Sequence, residues 1–207
     1  MHRVLPARLS LTLLMTGVLA LLILLVPLSG QSLSVAVTRA MSAFGFAVPA
    51  VERLSDGALL ALAVVTAIVG TWSWRRRKDR RAATMGAAIG VVIAYAASEG
   101  LKLLLAQSRP CTRWPAAGVC DAADFSLPSN HAALAFAAVV VIAVAARGGW
   151  LTLAALFFAF IVAAARMLEG AHYLHDVAAG ALIGLAVPAI TAWAACRMRA
   201  RRLGHGH

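Results

Sequence analysis

The sequence predicts an all-α polytopic membrane protein with six transmembrane helices. Three observations predict it. The 207 residues are 62% hydrophobic and 13% charged, with mean hydropathy +0.85. A soluble domain of this size is typically about 45–50% apolar and about 25% charged. The apolar residues gather in runs that approach the roughly 20 residues a helix needs to cross a bilayer. The charges gather in short clusters at the ends of those runs. A transmembrane barrel would instead show alternating segments of about 10 residues, and none are seen. The length suits one domain, residues 1–207.

The spans follow in order. Leu9–Leu28 comes after Arg3 and Arg8. It is long for the apolar core of a signal peptide and no small-residue cleavage site follows closely, so it is expected to stay as a signal anchor. Gly57–Trp74 ends on Trp72 and Trp74, and Trp150–Leu168 opens on Trp150. Trp193 lies near the end of Tyr173–Cys196. Tryptophans are enriched at the membrane–water interface. Ala82–Gln107 follows the basic run Arg75–Arg81, and His131–Ala146 is the shortest span. Richness in Ala, Val, Leu and Gly suits closely packed membrane helices. Between the first two spans, Leu33, Val37, Met41 and Phe44 recur at helical spacing with Ser34, Thr38 and Ser42 between them. Two readings fit: an amphipathic helix lying on the membrane, or a loop packing on the spans. The Pro-, Gly- and Asp-rich Ser108–Leu127 is expected to be irregular.

A net charge of +11 raises the question of nucleic acid. The placement of the charges excludes it, because they sit where the positive-inside rule puts them. With six spans, both termini, the Arg75–Arg81 run, Arg147 and the arginines of 197–202 share one side, the cytoplasmic one. Every acid except Asp79 lies in the other half. That outer side also receives the residues that carry chemistry.

Those residues form three groups. Lys102 and Arg109 are about two helical turns apart and so share a face. A lysine inside an apolar helix is costly and marks a functional site, with Glu99 as its structural partner in the bland reading. Pro110 is expected to end that helix. Next, Pro128-Ser129-Asn130-His131 precedes an apolar run. Ser129 or Asn130 can cap the helix, whose free N–H groups favour an anion. Finally, His172 and Asp176 stand one turn apart. An aspartate that accepts from one imidazole nitrogen leaves the other as a nucleophile. Arg166 suits a bidentate phosphate contact. His175 falls off the His172–Asp176 face and is read as structural. Two histidines and an aspartate also resemble a zinc set, which three nearby cations oppose. No metal or other cofactor is expected. Cys111 and Cys120 flank Thr112–Val119 in the outer loop. In an oxidising compartment they can pair; two free thiols are the alternative. Cys196 is read as a free inner-side thiol.

These groups read KLLLAQSRP (Lys102–Pro110), PSNH (Pro128–His131) and ARMLEGAHYLHD (Ala165–Asp176). In order and spacing they resemble the signature of the type 2 phosphatidic acid phosphatase superfamily, over residues 99–180. Two positions depart from it: Asn130 stands for the usual Gly and Ala165 for the usual Ser. The resemblance implies a six-helix, metal-independent membrane enzyme with its site at the outer ends of the third to sixth helices. It implies that His172 attacks phosphorus to form a phosphohistidine, that Asp176 supports it, and that His131 protonates the leaving oxygen. It implies that Lys102, Arg109, Ser129, Asn130 and Arg166 hold the phosphate. The expected function is that of a lipid phosphate or diphosphate phosphatase of the bacterial inner membrane. Polyprenyl (undecaprenyl) diphosphate is the first substrate expected, with phosphatidate and phosphatidylglycerophosphate as rivals. Phosphotransfer to a lipid acceptor is a second enzyme class. An anion-binding transporter or scaffold is the non-enzyme class, and it has no need of both His131 and His172. The partners expected are the lipid substrate and the bilayer, with no obligate protein partner.

Overall fold

The computed structural model describes residues 7–25, 32–121, 123–146 and 149–204. Among the described residues there are seven α-helices and no strand: α1 (Ala7–Leu24), α2 (Leu33–Gly45), α3 (Val51–Arg76), α4 (Arg81–Leu105), α5 (Asn130–Ala146), α6 (Gly149–Leu168) and α7 (Leu174–Gly204). Four of them, α3, α4, α6 and α7, are long and apolar enough to cross a membrane; α1 and α5 are apolar but shorter. The chain is a multi-pass membrane protein. Arg3, the Arg147 turn and the Val26–Leu28 end of the first expected span lie outside the described residues.

Helix α5 is the axis of the bundle. It is buried from Ala132 to Ala146 except at Leu134, and α3, α4, α6 and α7 pack around it. Its alanines and valines bring those neighbours close. Phe136 fills the wider gap toward α6 and meets Phe160 edge-on at 5.4 Å. Leucines such as Leu60, Leu103 and Leu104 are exposed on the outside. In a membrane protein that exposure is the lipid-facing surface, since lipid tails are as apolar as the side chains.

Small residues set the closest approaches. Gly180 and Gly184 lie one turn apart on α7, and a Cβ on them would strike the carbonyl oxygens of Ser129 and Ala133. Gly86 and Gly90 do the same for α4 against Thr191 and Pro188 of α7. These are small-xxx-small contacts, where the missing side chains let backbones touch.

The basic run closes one end of the bundle. The buried Arg80 donates to the carbonyl of Val144, and Arg199 donates to those of Lys78 (3.0 Å) and Asp79 (3.2 Å). Arg77, Arg81 and Arg197 sit 4.7, 5.4 and 5.1 Å from the rings of Trp72, Trp74 and Trp193. Cations stacked on tryptophans suit the boundary between lipid and water.

At the opposite end, α2 corrects the picture of an outer loop. It is an amphipathic helix whose Ser34, Thr38 and Ser42 stripe is buried, while Leu33 and Phe44 are exposed. The polar face turns inward onto α6 and α7. The reason is hydrogen bonding. Thr38 Oγ1 accepts from the N–H of Leu174 (2.9 Å) and Ser34 Oγ from that of His175 (3.2 Å). Two orphan donors at the start of α7 are thus satisfied from another helix. Helix α3 also begins earlier than expected, at Val51, which puts Glu52 and Asp56 on its opening turns.

Candidate active site

All three sequence groups meet at this second end, where α4 and α6 finish and α5 and α7 begin. Backbone contacts weld them. Ser129 N–H donates to the Asp176 carbonyl at 3.0 Å, beside the Gly180 contact. Ser129 precedes α5, and its Oγ lies 3.4 Å from the N–H of Ala132, a loose N-cap.

A tight turn joins Arg166 to His172. Gly170 has φ +71°, a conformation that favours glycine. Its N–H bonds to the Met167 carbonyl (3.0 Å), and the Ala171 N–H bonds to the Arg166 carbonyl (3.1 Å). This is a Schellman ending of α6. It returns the chain so that the His172 N–H also reaches the Arg166 carbonyl, at 3.3 Å.

Lys102 and Arg109 converge by a route different from the expected one. Helix α4 stops at Leu105, where Ala106 turns left-handed at φ 46°. Arg109 is extended, at φ −70° and ψ 152°. Pro110 disfavours helix in the residue before it, so Arg109 cannot share the face of Lys102. Both cations instead grip one carboxylate from the loop. Lys102 Nζ is 3.1 Å from each oxygen of Asp124, and Arg109 donates to Asp124 Oδ2. Glu99 is farther from Lys102, at 3.8 Å. Burial pushes the Asp124 carboxyl up, but the hydrogen bonds and charges of Lys102 and Arg109 outweigh it and hold the carboxyl below its ordinary range.

His172 is fully buried. Its Nδ1 lies 2.7 Å from the Ser126 carbonyl oxygen and 3.8 Å from Asp176 Oδ2. A carbonyl can only accept, so Nδ1 carries the proton and Nε2 keeps its lone pair. The tautomer is the one a nucleophile needs. The group that fixes it is the Ser126 backbone, where the sequence pattern points to Asp176. Burial lowers the His172 pKa, the hydrogen-bonding influence of Asp176 opposes this, and the Arg166 and Arg109 charges lower it further. The net direction is downward, which disfavours the charged imidazolium.

Asp176 is the hub behind it. Its carboxylate accepts from the Tyr173 N–H (2.7 Å) and from Gln107 Nε2 (3.0 Å), with His175 Nε2 at 3.1 Å. His175 Nδ1 faces the Ser34 hydroxyl at 2.8 Å, and its ring stacks on Tyr173 with centroids 5.2 Å apart. His175 therefore links α2 to Asp176, a buried and structural place.

His131 opens α5 and its Nε2 is 3.2 Å from Asp56 Oδ1 of α3. Arg166 Nη1 donates to Glu169 Oε2 at 2.6 Å. Burial and the charges of Asp56 and Glu52 raise the Glu169 carboxyl to about 7 against the opposing pull of Arg166. The Nε atoms of Arg109 and Arg166 are buried and have no hydrogen-bond partner. Among the described residues, Trp114 Nε1, Glu169 Oε1 and the Tyr173 hydroxyl are also buried without a partner at this end. Asn130 differs from the rest. Its side chain turns to α4, accepting from Ser98 (2.6 Å) and donating to Glu99, which leaves only its backbone near the site.

Around the site, Cys111 and Cys120 are joined, with sulfurs 2.04 Å apart. The Cys111 N–H bonds to the Gly170 carbonyl at 3.0 Å, tying this staple to the α6–α7 turn. From Asp56 an apolar groove of about 580 Å³ runs between α3 and α5, past Leu60, Ala63 and Leu134. A second groove of about 380 Å³ shares Thr66, Ala67 and Val91 with it and reaches Trp74.

Asp56, Gln107, Asp124, Ser126 and Glu169 were missed by the sequence reading. A faint signal existed for two of them, since Gln107 lies inside the Lys102–Pro110 group and Glu169 lies between Arg166 and His172.

Comparison with known proteins bears on the fold and the family. No curated protein matches the chain. A solved structure of a transmembrane PAP2-type phosphatidylglycerolphosphate phosphatase from Bacillus subtilis is similar in fold, with TM-score 0.57 and 20% identity, over 91% of this chain and 94% of that one. Residues 81–200, more than half of the chain and all three motif groups, match the PAP2 superfamily, and the chain belongs to that family.

Proposed function

We propose that the chain is a membrane phosphatase that hydrolyses a lipid phosphate or diphosphate through a phosphohistidine. The observation that carries this reading is the buried His172, its Nδ1 turned to the Ser126 carbonyl, at the same end of the bundle as the unpartnered Nε–H groups of Arg109 and Arg166. Those donors, with Lys102, Ser129 and the Asn130 backbone, form the phosphate cradle. His172 Nε2 attacks phosphorus. His131 gives a proton to the leaving oxygen and then takes one from water. The cations offset charge on the transferring phosphoryl group. Asp176 and the Ser126 carbonyl steady the imidazolium side of the phosphohistidine.

The apolar groove that starts at Asp56, next to His131, suits the tail of a lipid whose headgroup enters the cradle. Six spans, cytoplasmic termini and an outward-facing site complete the reading, with α1 and α5 as the two shorter spans. Polyprenyl diphosphate is the substrate proposed first, because one long chain suits two adjoining grooves that run in line from Asp56 to Trp74. Phosphatidylglycerophosphate is the rival, favoured by the activity named for the similar solved structure.

The test is phosphate release by purified protein from polyprenyl diphosphate, phosphatidate and phosphatidylglycerophosphate side by side, in excess chelator and without a lipid acceptor. We expect release from at least one lipid, fastest from the diphosphate, and none from His172→Ala. Full activity in that variant would remove the mechanism. Activity that needs metal, or an acceptor, would replace hydrolysis as proposed here with another chemistry.

A further inference from the structure

Asp124 sits where the cradle's cations point, and nothing in the phosphatase chemistry uses it. Its carboxylate spans both oxygens to Lys102 and also binds Arg109. The partners are unequal in exposure: the cations' side chains are 6% and 9% exposed, and that of Asp124 is 39% exposed. The cations are fixed in the wall, and the acid approaches from the water side. Its loop is held at two points. Cys120 is bonded to Cys111, and the Ser126 N–H donates to the Gln107 carbonyl at 2.8 Å. Between them the N–H groups of Ala123 and Asp124 bond within the stretch itself, to Asp121 (3.1 and 3.4 Å), so Asp124 can withdraw with its own turn while the anchors stay.

A dianionic phosphate and a carboxylate cannot share two cations without strong repulsion. Resting on the phosphatase reading, we propose that Asp124 is a resident anion of the phosphate site. It holds Lys102 and Arg109 in position between turnovers, yields them to the substrate phosphate, and takes them back as inorganic phosphate leaves. The role is one of positioning and product release. Asp124 touches no reacting atom. Its cost is a weaker grip on substrate, and its gain is a cradle that neither collapses by cation repulsion nor stays clogged with product.

Two measurements test this with inorganic phosphate as the probe. Asp124→Asn is expected to be inhibited by inorganic phosphate at concentrations at least about tenfold lower than wild type, with KM falling and kcat falling as release slows. Separately, a nitroxide on Ala123→Cys, in a Cys196→Ser background that keeps Asp124, is expected to gain mobility when phosphate saturates the site. Unchanged inhibition in Asp124→Asn overturns the proposal. So does sharper inhibition with an unmoved label, which would mean that Asp124 acts only through its field. Should Asp124→Asn fail to fold, the label alone decides. Wild type with no turnover at all would instead overturn the phosphatase reading beneath it.

Discussion

Glu169, paired with Arg166, is the acid whose titration the fold moves upward. Its carboxyl titrates near 4.5 in its ordinary state and near 7 in the fold, through burial and the Asp56 and Glu52 charges set against Arg166. Between those values the folded protein holds a proton that the unfolded chain has lost. Stability therefore falls as pH rises through that window, and this group adds no slope outside it. Glu169→Gln is expected to melt like wild type near pH 5 and above wild type near pH 8 in detergent. An equal offset at both pH values would refute the assignment. Residues of this kind were hard to read in the sequence. The signature positions Lys102, Ser129, His131, Arg166, His172 and Asp176 stood out because each is a polar or charged residue in or beside an apolar run. Asp56, Asp124 and Ser126 did not, because each acts through a contact made across the fold. Ser126 acts by a backbone carbonyl, which no side-chain pattern records.

Helix faces decide how those residues meet. Gly180 and Gly184 bring α7 against the start of α5 and let Ser129 bond to Asp176. Gly180→Leu is expected to force the two helices apart, cost about 1–3 kcal/mol of stability, and lower phosphate release by about a hundredfold or more, since such displacements are expensive in catalysis. Gly17→Leu on α1, where an added Cβ meets nothing within 4 Å, is the control. Equal activity in both variants would contradict the account. At this scale the sequence was legible for α4 to α7, whose expected starts lie within one residue of the observed ones. It was less so for α2. Its Ser/Thr stripe looked like a polar face for water, and it became the inner face because α7 offers unpaired N–H groups that only a nearby oxygen can satisfy. The end of α4 was misread for a similar reason. A seven-residue spacing implies one face only while the helix lasts, and Ala106 ends it.

The whole molecule separates its charge by end. Most basic residues, with Trp72, Trp74, Trp150 and Trp193, lie toward one end, and every acid but Asp79 gathers with the motif groups at the other. The separation was legible because it rests on where the charges fall between apolar runs, and it is the basis of the proposed orientation. Reporter fusions after Arg81 and after Val119 are expected to report opposite sides of the membrane; a same-side result would refute that orientation. The central claim concerns His172, which the fold buries, holds at Nδ1 by the Ser126 carbonyl and places near Arg166 and Arg109. It is tested most directly by quenching purified enzyme during turnover of a lipid substrate carrying radiolabelled phosphate. The account predicts an acid-labile, base-stable phosphoryl adduct that maps to His172. Label on another residue, or steady turnover in which His172 never carries phosphate, would contradict it.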